Sequence, residues 1–415
     1  MSDHPALAWR RAGLMEVTGH RAGDPLVFPA DLTGAADRMI DALRLMAPDR
    51  CCLPQSGAAL LGERARLLCL ERNGRQSANG SCHLFRAKGG WIAVNLARPD
   101  DMDMMPAWLQ QEAGSQEQIA AAIAVQDPCK LEARGREMGL PVACPGTPAD
   151  MPADRLPPTR YGNKDEARRP PLVVDLSTLW AGPLAGSLLA MMGADVVKVE
   201  SQGRPDAARS GNAAFFDLLN AAKKSISLDF STISGRDALL KLIEAADIVI
   251  ESARPRALEQ LGIFAEQILQ KHPGKVWLAI SAYGRQGAAA NWVGFGDDAA
   301  MAAGSGWAMH SAWQEMLFAG DAIADPLAGL SGACAAWQSW RQGGGELLSV
   351  SLAGTIATIL RDDEPAGDRT RAEQWQALAI ADTEPLYPLR DAPCRAAPVG
   401  QDTHAVMSAL LASAC

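Results

Sequence analysis

The chain has 415 residues, of which 48% are hydrophobic and 21% are charged. These fractions allow a large buried core and exclude a chain that is disordered over most of its length. The formal charge is −9, which argues against a general binder of nucleic acid or of anionic membranes, since such proteins are normally basic. By length, we expect two or three domains.

The N-terminal residues lack the continuous apolar stretch of a secretory signal, and no segment offers about 18 consecutive apolar residues for a membrane helix. We therefore expect a cytoplasmic protein with no membrane partner. The nine cysteines are scattered, and no CxxC pair occurs. We expect reduced thiols and predict no metal site.

The first part of the chain, residues 1–150, is predicted to form a small α+β domain. Residues 36–45 have the pattern of an amphipathic helix, and residues 91–96 have that of a strand after a glycine turn. Residues 115–138 are rich in Gln, Ala and Glu and predict one or two helices, and residues 139–143 predict a turn into a short strand.

Residues 151–170 are rich in proline and charge and predict a linker. From residue 171 onwards, short apolar runs alternate with helical segments. The predicted strands are 172–176, 195–200, 225–229, 247–251 and 276–281. The predicted helices include 182–192, 235–246 and 255–261. This alternation predicts an α/β fold with a doubly wound parallel sheet, in a domain that spans residues 171–415.

Ligands of such sheets bind beyond the carboxyl ends of the strands. The loop after the first strand of this domain, residues 179–183, is not GxGxxG, and GxxxxGK[ST] is absent from the sequence. The usual dinucleotide and ATP sites are therefore disfavoured, although sheets of this type commonly bind a phosphorylated ligand.

Six segments of this domain match one known family in the same order. They are residues 174–176, 181–183, 193–200, 219–229, 246–251 and 254–262. On these segments the sequence resembles the class III CoA-transferases, the family of formyl-CoA transferase and carnitine-CoA transferase. The resemblance implies an enzyme that moves CoA from an acyl-CoA thioester to a free carboxylic acid. CoA and acyl-CoA are then substrates, and no permanently bound cofactor is expected.

The family's catalytic aspartate lies in a D-x-x-x-G context after a short apolar stretch, and Asp325 with Gly329 fits this pattern. The resemblance implies that the Asp325 carboxylate attacks the thioester, giving an acyl-aspartyl anhydride and then an aspartyl-CoA thioester. Asp321 is a rival, because it directly follows Gly320 and some family members have Gly-Asp at the nucleophile. Asp325 before Pro326 is also typical of a helix start, a role compatible with catalysis since helix N-termini favour anions.

The resemblance also implies which residues contact CoA at the strand ends. They are Trp180, Ala181, Ser201, Asn220, Lys223, Ser252, Ala253, Ala257 and Leu261. Relatives often have arginine where Ser201 stands, and an Asn-aromatic pair where Ser252 and Ala253 stand. Because CoA carries phosphates, Arg204, Arg254 and Arg256 are candidates for the missing positive charge and belong to the CoA-binding prediction. Solvated loop residues are the alternative interpretation of these arginines.

Two other functions fit the same segments. The α-methylacyl-CoA racemases share them but have an adjacent histidine and aspartate, which precede the equivalent of Asp325 in the sequence and act as the two bases. Here Asp297 takes the place of that histidine, before Asp298. The missing histidine disfavours an acyl-CoA racemase or isomerase. A CoA-binding protein without catalytic activity is the third interpretation, suggested by the altered CoA contacts and the unusual order of segments.

Residues 82–147 resemble the small domain that the family carries late in its sequence, and residues 395–407 resemble the family's C-terminal end. The chain is thus interpreted as a permuted member with the small domain placed first; an unrelated N-terminal domain is the alternative. Family members are interlocked homodimers, which implies a homodimer here and leaves its interlocking open.

Overall fold

The computed structural model describes residues 3–48, 51–151, 159–162, 170–364 and 366–413. Its α-helices are α1 (Pro5–Arg11), α2 (Leu32–Met46), α3 (Gly57–Leu67), α4 (Pro99–Asp103), α5 (Met105–Leu109), α6 (Gln116–Ala124), α7 (Pro128–Met138), α8 (Ala181–Met191), α9 (Ala213–Asn220), α10 (Ile233–Ala245), α11 (Pro255–Glu259), α12 (Ala265–Lys271), α13 (Gly296–Ala302), α14 (Ser305–Trp313), α15 (Ala324–Arg341), α16 (Leu352–Asp362), α17 (Arg369–Ala381) and α18 (Thr403–Ser413). Its strands are β1 (Cys82–Ala87), β2 (Gly90–Asn95), β3 (Val142–Ala143), β4 (Thr159–Arg160), β5 (Leu172–Asp175), β6 (Asp195–Ser201), β7 (Lys224–Leu228), β8 (Ile248–Glu251), β9 (Val276–Ser281) and β10 (Glu346–Ser351).

The larger sheet has seven strands in the order β4-β10-β9-β8-β5-β6-β7. All neighbours are parallel except β4, which pairs antiparallel with β10. The five predicted strands are β5 to β9, within one or two residues at each end. The prediction of an α/β fold with a mostly parallel sheet is confirmed.

Both faces of this sheet are covered by helices. Successive residues of a strand point to opposite faces, so Val173 and Val174 of β5 belong to different cores. Val173 packs in a core with Leu184 of α8 and Leu327 of α15, whereas Val174 packs in a core that includes α10 and α12. The sheet is therefore buried on two sides, as its continuous apolar runs predicted.

The smaller sheet has the order β1-β2-β3 and is antiparallel. With helices α5 to α7 it encloses its own core, which includes Ile92, Trp108, Ile123 and Val142. The helical pattern predicted over 115–138 forms two helices, α6 and α7. The second starts at Pro128, where proline favours the first position of a helix.

Helices α1 to α3 pack in a different core from the smaller sheet. Trp9, Phe28 and Leu61 lie in the same core as Leu184 of α8 and Leu327 of α15. The N-terminal helices thus contribute to the layer that covers the larger sheet. The predicted boundary of a domain over residues 1–150 stays a prediction.

Most of the predicted linker, residues 151–170, lies outside the described residues. Within it, β4 extends the larger sheet, and Arg160 pairs with Glu346 of β10. After α17 the chain runs without regular structure to α18, where Asp402 and Thr403 side chains accept hydrogen bonds from backbone N–H groups of β7. No helix in the described part of the chain has the length and apolar character to cross a membrane.

Candidate active site

Asp325 lies in the first turn of α15, at the edge of the larger sheet where the strands end. It is half-buried, and its backbone N–H donates to Ala322 O at 2.9 Å. One turn further on, Gly329 packs so closely on α8 that a methyl group there would lie 2.6 Å from Ala181 O. Asp325 therefore lies one helical turn from the contact between α15 and the first turn of α8, and α8 has no side-chain cap at its N-terminus.

Asp321 is fully buried and is bound by one arginine. Arg64 of α3 donates from Nε to Oδ2 at 2.6 Å and from Nη2 to Oδ1 at 2.5 Å. The guanidinium also lies 4.6 Å from the centre of the Trp180 ring. Such a bidentate pair compensates a buried carboxylate charge, so both Asp321 oxygens are occupied within the protein.

Asp297 and Asp298, in the first turn of α13, are also buried. Asp297 Oδ1 accepts from Ala322 N at 2.9 Å. Asp298 Oδ1 accepts from Phe295 N and from Asn95 Nδ2, both at 2.9 Å, and its Oδ2 accepts from Tyr283 Oη at 3.1 Å. Of the four clustered aspartates, only Asp325 is partly exposed to solvent.

Three of these four carboxyl groups are buried, and Arg64 is bound to Asp321 and acts by its charge on Asp297 and Asp325. Burial raises the pKa of Asp325 to about 7; Arg64 opposes this rise, and Asp321 and Asp298 add to it. Burial and the Asp321 charge raise the pKa of Asp297 to about 7. Burial raises the pKa of Asp298 to about 6. The pKa values of Asp297, Asp298 and Asp325 are therefore all raised, and the charges of neighbouring carboxylates contribute to the rise at Asp297 and Asp325.

A glycine allows α13 to approach Asp325. The backbone N–H of Gly296 faces the Asp325 carboxylate and opposes the rise of its pKa. A methyl group on Gly296 would overlap Asp325 Oδ2 and would lie 2.5 Å from Ala322 O. Any larger residue would displace the carboxylate or the turn that carries it. The close approach places one backbone donor on the exposed aspartate.

The loop between β5 and α8 is held by buried charges beneath it. Lys198 Nζ donates to Asp206 Oδ2 at 2.8 Å and to Ser177 O at 3.0 Å. Asp206 Oδ1 accepts from Leu179 N at 3.1 Å. Leu179 has a φ of 69°, a left-handed conformation that strains a leucine. This network fixes the start of α8 beside Asp325.

Two residues with predicted CoA contacts are buried in the same region. Lys223 Nζ donates to Asp175 Oδ2 at 2.7 Å and to Pro183 O at 2.8 Å, and burial, opposed by Asp175, lowers its pKa to about 8. Asn220 Nδ2 donates to Phe216 O at 3.1 Å. Both side chains are thus used inside the protein, and their contacts with CoA stay predictions.

Arg254, at the start of α11 after β8, is surrounded by the positive charges of three other arginines. Burial first, and then the positive charges of Arg256, Arg98 and Arg204, lower the pKa of Arg254. Arg98, from the N-terminal part of the chain, donates to Asp101 and to Gly139 O. Within the described ranges, no carboxylate pairs with Arg204, Arg254 or Arg256. We call these four residues the arginine cluster.

The other predicted CoA residues lie near the arginine cluster or the loop before α8. Ser201 ends β6 and forms a bridge with Arg204. Ser252 Oγ accepts from Thr178 N at 3.0 Å. Ala253 and Ala257 are exposed, and Leu261 is half-buried. Trp180 and Ala181, in contrast, are buried at the N-terminus of α8, and Trp180 packs edge-on against Phe215.

Several residues of this site were not predicted from the sequence. They are Arg64, Asn79, Asn95, Arg98 and Gly296. Four of them lie before residue 100, and no local pattern links them to α13 or α15.

Across the described residues, no group of three or more His, Cys, Asp or Glu side chains has an arrangement suited to a metal ion.

A family model described as CoA-transferase family III matches residues 171–385. The match covers just over half of the chain and includes the strands of the parallel sheet from β5 onwards, α13 and α15. The chain therefore belongs to the CoA-transferase family III, the class III CoA-transferases.

Several relatives are similar over parts of their length. Succinyl-CoA–D-citramalate CoA-transferase of Chloroflexus aurantiacus is 28% identical over 233 residues, 53% of this chain and 58% of the relative. Formyl-CoA:oxalate CoA-transferase of Escherichia coli is 33% identical over 118 residues, 27% of this chain and 28% of the relative. The crystal structure of Rv3272 from Mycobacterium tuberculosis matches with a TM-score of 0.44 and 27% identity, covering 48% of this chain and 59% of that one. The chain thus spans less than two thirds of the length of each.

Proposed function

We propose that the protein is a CoA-transferase that moves CoA between an acyl-CoA thioester and a free carboxylic acid, with Asp325 as the nucleophile. The observation that carries this proposal is the geometry of Asp325. It is the partly exposed member of a buried aspartate cluster, it lies in the first turn of α15, and it is one helical turn from the contact of α15 with the uncapped start of α8. Family membership supports the same reaction class.

The first half of the proposed reaction forms CoA thiolate and an enzyme intermediate. The Asp325 carboxylate attacks the thioester carbonyl, the C–S bond breaks, and an acyl-aspartyl anhydride forms with CoA thiolate. The thiolate then attacks the aspartyl carbonyl and releases the first acid. The N–H groups of Gly296 and of the first turn of α8 would stabilise the negative charge that develops on the carbonyl oxygens.

The second half repeats these steps with the acceptor. Its carboxylate attacks the aspartyl-CoA thioester, displacing the thiolate, which then attacks the acceptor's carbonyl and regenerates the Asp325 carboxylate. Partial burial removes water from this carboxylate and so favours its reaction with a thioester. The buried, fully bonded oxygens of Asp298 and Asp321 support neither a racemase base nor the rival nucleophile.

Trapping tests the proposal. The protein is incubated with a panel of acyl-CoA donors (succinyl-, formyl-, branched and aromatic) and hydroxylamine, and the modified peptide is mapped by mass spectrometry. We expect a hydroxamate on Asp325. An adduct on Asp321 would support the rival nucleophile, exchange of the Cα proton without an adduct would support a racemase, and CoA binding with neither would support a non-catalytic protein.

The pH dependence of the rate provides a second check. Asp325 must be ionised to attack, and its pKa is about 7, so kcat/KM should fall by about tenfold per pH unit below pH 7 and level off above it. The measurement is the initial rate from pH 5 to 9, with circular dichroism as the control for folding. A rate that is constant from pH 5 to 7 would contradict the raised pKa of the nucleophile.

We further propose that the arginine cluster binds the phosphates of CoA, and that no cofactor is permanently bound. Arginines bind phosphate through charge-assisted hydrogen bonds, and Arg254 and Arg256 begin α11 beside the predicted CoA residues. The net charge of −9 makes such a local positive site necessary for a polyanionic ligand.

Replacing Arg254 by alanine should weaken CoA binding by about tenfold or more, because a hydrogen bond to a charged group contributes about 1.5–3 kcal/mol. Calorimetry measures the Kd for CoA at two salt concentrations, and the variant should also show a smaller salt dependence. Arg38→Ala, which removes an exposed arginine of α2, is the control and should bind like wild type. A Kd within twofold of wild type for Arg254→Ala would remove the cluster from the CoA site.

The assembly is also part of the proposal. We propose a cytoplasmic homodimer in which the small domain stands first in a permuted chain. The separate core formed within residues 85–142 supports this, as does the resemblance of residues 82–147 to the family's late small domain. Light scattering tests the dimer. A rearranged chain with the small domain returned to the C-terminus tests the permutation by its folding and activity.

A further inference from the structure

Two asparagines from the first hundred residues bind the two adjacent aspartates of α13. Asn95 Nδ2 donates to Asp298 Oδ1 at 2.9 Å. Asn79 Nδ2 lies 3.3 Å from Asp297 Oδ2 and 3.4 Å from Asp321 Oδ1, and donates to both. The smaller sheet and the turn before it are therefore joined directly to the aspartate cluster.

The orientation of the Asn79 amide is determined by its surroundings. Its Oδ1 accepts three hydrogen bonds, from Ser77 Oγ at 2.9 Å, Ser81 N at 2.9 Å and Ser81 Oγ at 2.8 Å. Only the amide oxygen can accept these donors. The NH₂ group must therefore face the carboxylates, and the hydrogen bonds to Asp297 and Asp321 do not depend on an arbitrary choice between O and N.

Asp297 connects this amide to the backbone of the nucleophile. Its Oδ1 accepts from Ala322 N at 2.9 Å, and Ala322 O in turn accepts from Asp325 N at 2.9 Å. Ala322 has a φ of 43°, a left-handed conformation that costs a residue with a side chain about 1–2 kcal/mol. A strained residue persists only where its surroundings hold it, and the hydrogen bond to Asp297 is such a restraint.

We propose that Asn79 and Asp297 are positioning residues for Asp325: Asn79 orients Asp297, and Asp297 holds the strained turn at Ala322 so that the Asp325 carboxylate meets the Gly296 N–H. This inference rests on the proposed function only in calling Asp325 the nucleophile. It gives the N-terminal part of the chain a role in the reaction, since the reactive geometry requires a side chain that lies 246 positions before Asp325.

The titratable and charged groups that face Asp297 and Asp325 come from several elements. They are Arg64 on α3, Cys82 on β1, Asp298 on α13, and Asp321 before α15. A charge added at residue 79 would shift the pKa of each of these groups. A neutral variant is therefore needed to separate positioning from electrostatics.

The test uses Asn79→Ala and Asn79→Asp in the full-length protein. With the donor and acceptor that wild type uses best, we expect kcat to fall by about 100-fold in each, because a small displacement of a reacting group has an effect of this size. The KM for the acyl-CoA and the Kd for CoA should stay within about twofold. In the double variant N79D/D297N the amide at position 297 can donate to the carboxylate at position 79, and the net charge is that of wild type. Its kcat should be at least tenfold higher than that of N79D.

Carbodiimide labelling provides a readout that does not depend on transfer. The pH midpoint for labelling Asp325 should rise in Asn79→Ala as well as in Asn79→Asp, because loss of the Gly296 N–H favours the protonated carboxyl. Asn73→Asp, at an exposed asparagine six positions earlier, is the isosteric control and should match wild type in both measurements.

The outcomes separate the two proposals. An unchanged labelling midpoint and unchanged kcat in Asn79→Ala would overturn the positioning role, as would a lowered melting temperature with a normal midpoint, which indicates structural support alone. If wild type transfers CoA from none of the donors, the proposed function fails while the labelling result still decides the positioning of Asp325. If Asn79→Asp does not fold, Asn79→Ala and N79D/D297N carry the same decision.

Discussion

Replacing Asp325 by asparagine is expected to reduce CoA transfer by at least about 10⁴-fold, the scale found when a covalent nucleophile is removed. The amide has nearly the shape of the carboxylate but cannot form the anhydride. The amide oxygen of the variant can still face the Gly296 N–H. Folding and CoA affinity should therefore change little, and the loss should appear in kcat.

A matched variant controls for the loss of a helix-terminal carboxylate. Asp368 caps α17 through a hydrogen bond from Arg371 N, and Asp368→Asn retains this cap. It should keep full activity, measured by liquid chromatography of the acyl-CoA product. Transfer by Asp325→Asn at more than a few per cent of the wild-type rate would show that another residue is the nucleophile.

Replacing Arg64 by methionine is expected to destabilise the protein by about 3–5 kcal/mol, the usual effect of removing one partner of a buried ion pair. Asp321 has no exposed surface and would lose both donors. The contact of the guanidinium with Trp180 would be lost as well. Urea denaturation followed by tryptophan fluorescence measures the free energy of unfolding.

Two further variants test whether the loss of stability comes from the buried Arg64–Asp321 pair or from the loss of any arginine. Arg38→Met removes an exposed partner of Asp31 and should change the free energy of unfolding by less than about 1 kcal/mol. The double variant R64M/D321N removes the uncompensated charge and should recover part of the loss. If Arg64→Met is as stable as Arg38→Met, the buried pair does not stabilise the cluster.

The larger sheet could be predicted because its signals are local. Each of β5, β8 and β9 is a short apolar run between turn residues, and runs of this kind are typical of strands buried on both faces of a parallel sheet. Asp325 could also be proposed, since the D-x-x-x-G context lies within five positions. Both predictions use residues that are close in sequence.

Local sequence does not decide which of the predicted residues contact CoA. Lys223 stands at the right position of a matching segment, but its ammonium group is bound by Asp175, 48 positions earlier. A buried lysine without such a partner would be an uncompensated charge, which is strongly destabilising. Nothing in the residues around Lys223 indicates that partner, so a ligand role and a structural role have the same local sequence.

The acidic charge argued against a general nucleic-acid binder, and the order of apolar runs from residue 171 predicted the parallel sheet. The class of protein and the choice of Asp325 came from the resemblance of short segments to the class III CoA-transferases. The environment of Asp325 was decided by tertiary structure alone. Arg64, Asn79 and Asn95 reach the cluster from α3, from the turn before β1 and from the end of β2. The physical reason is that buried charge must be compensated by whichever donors the packing brings within hydrogen-bond distance, and sequence separation does not limit that choice.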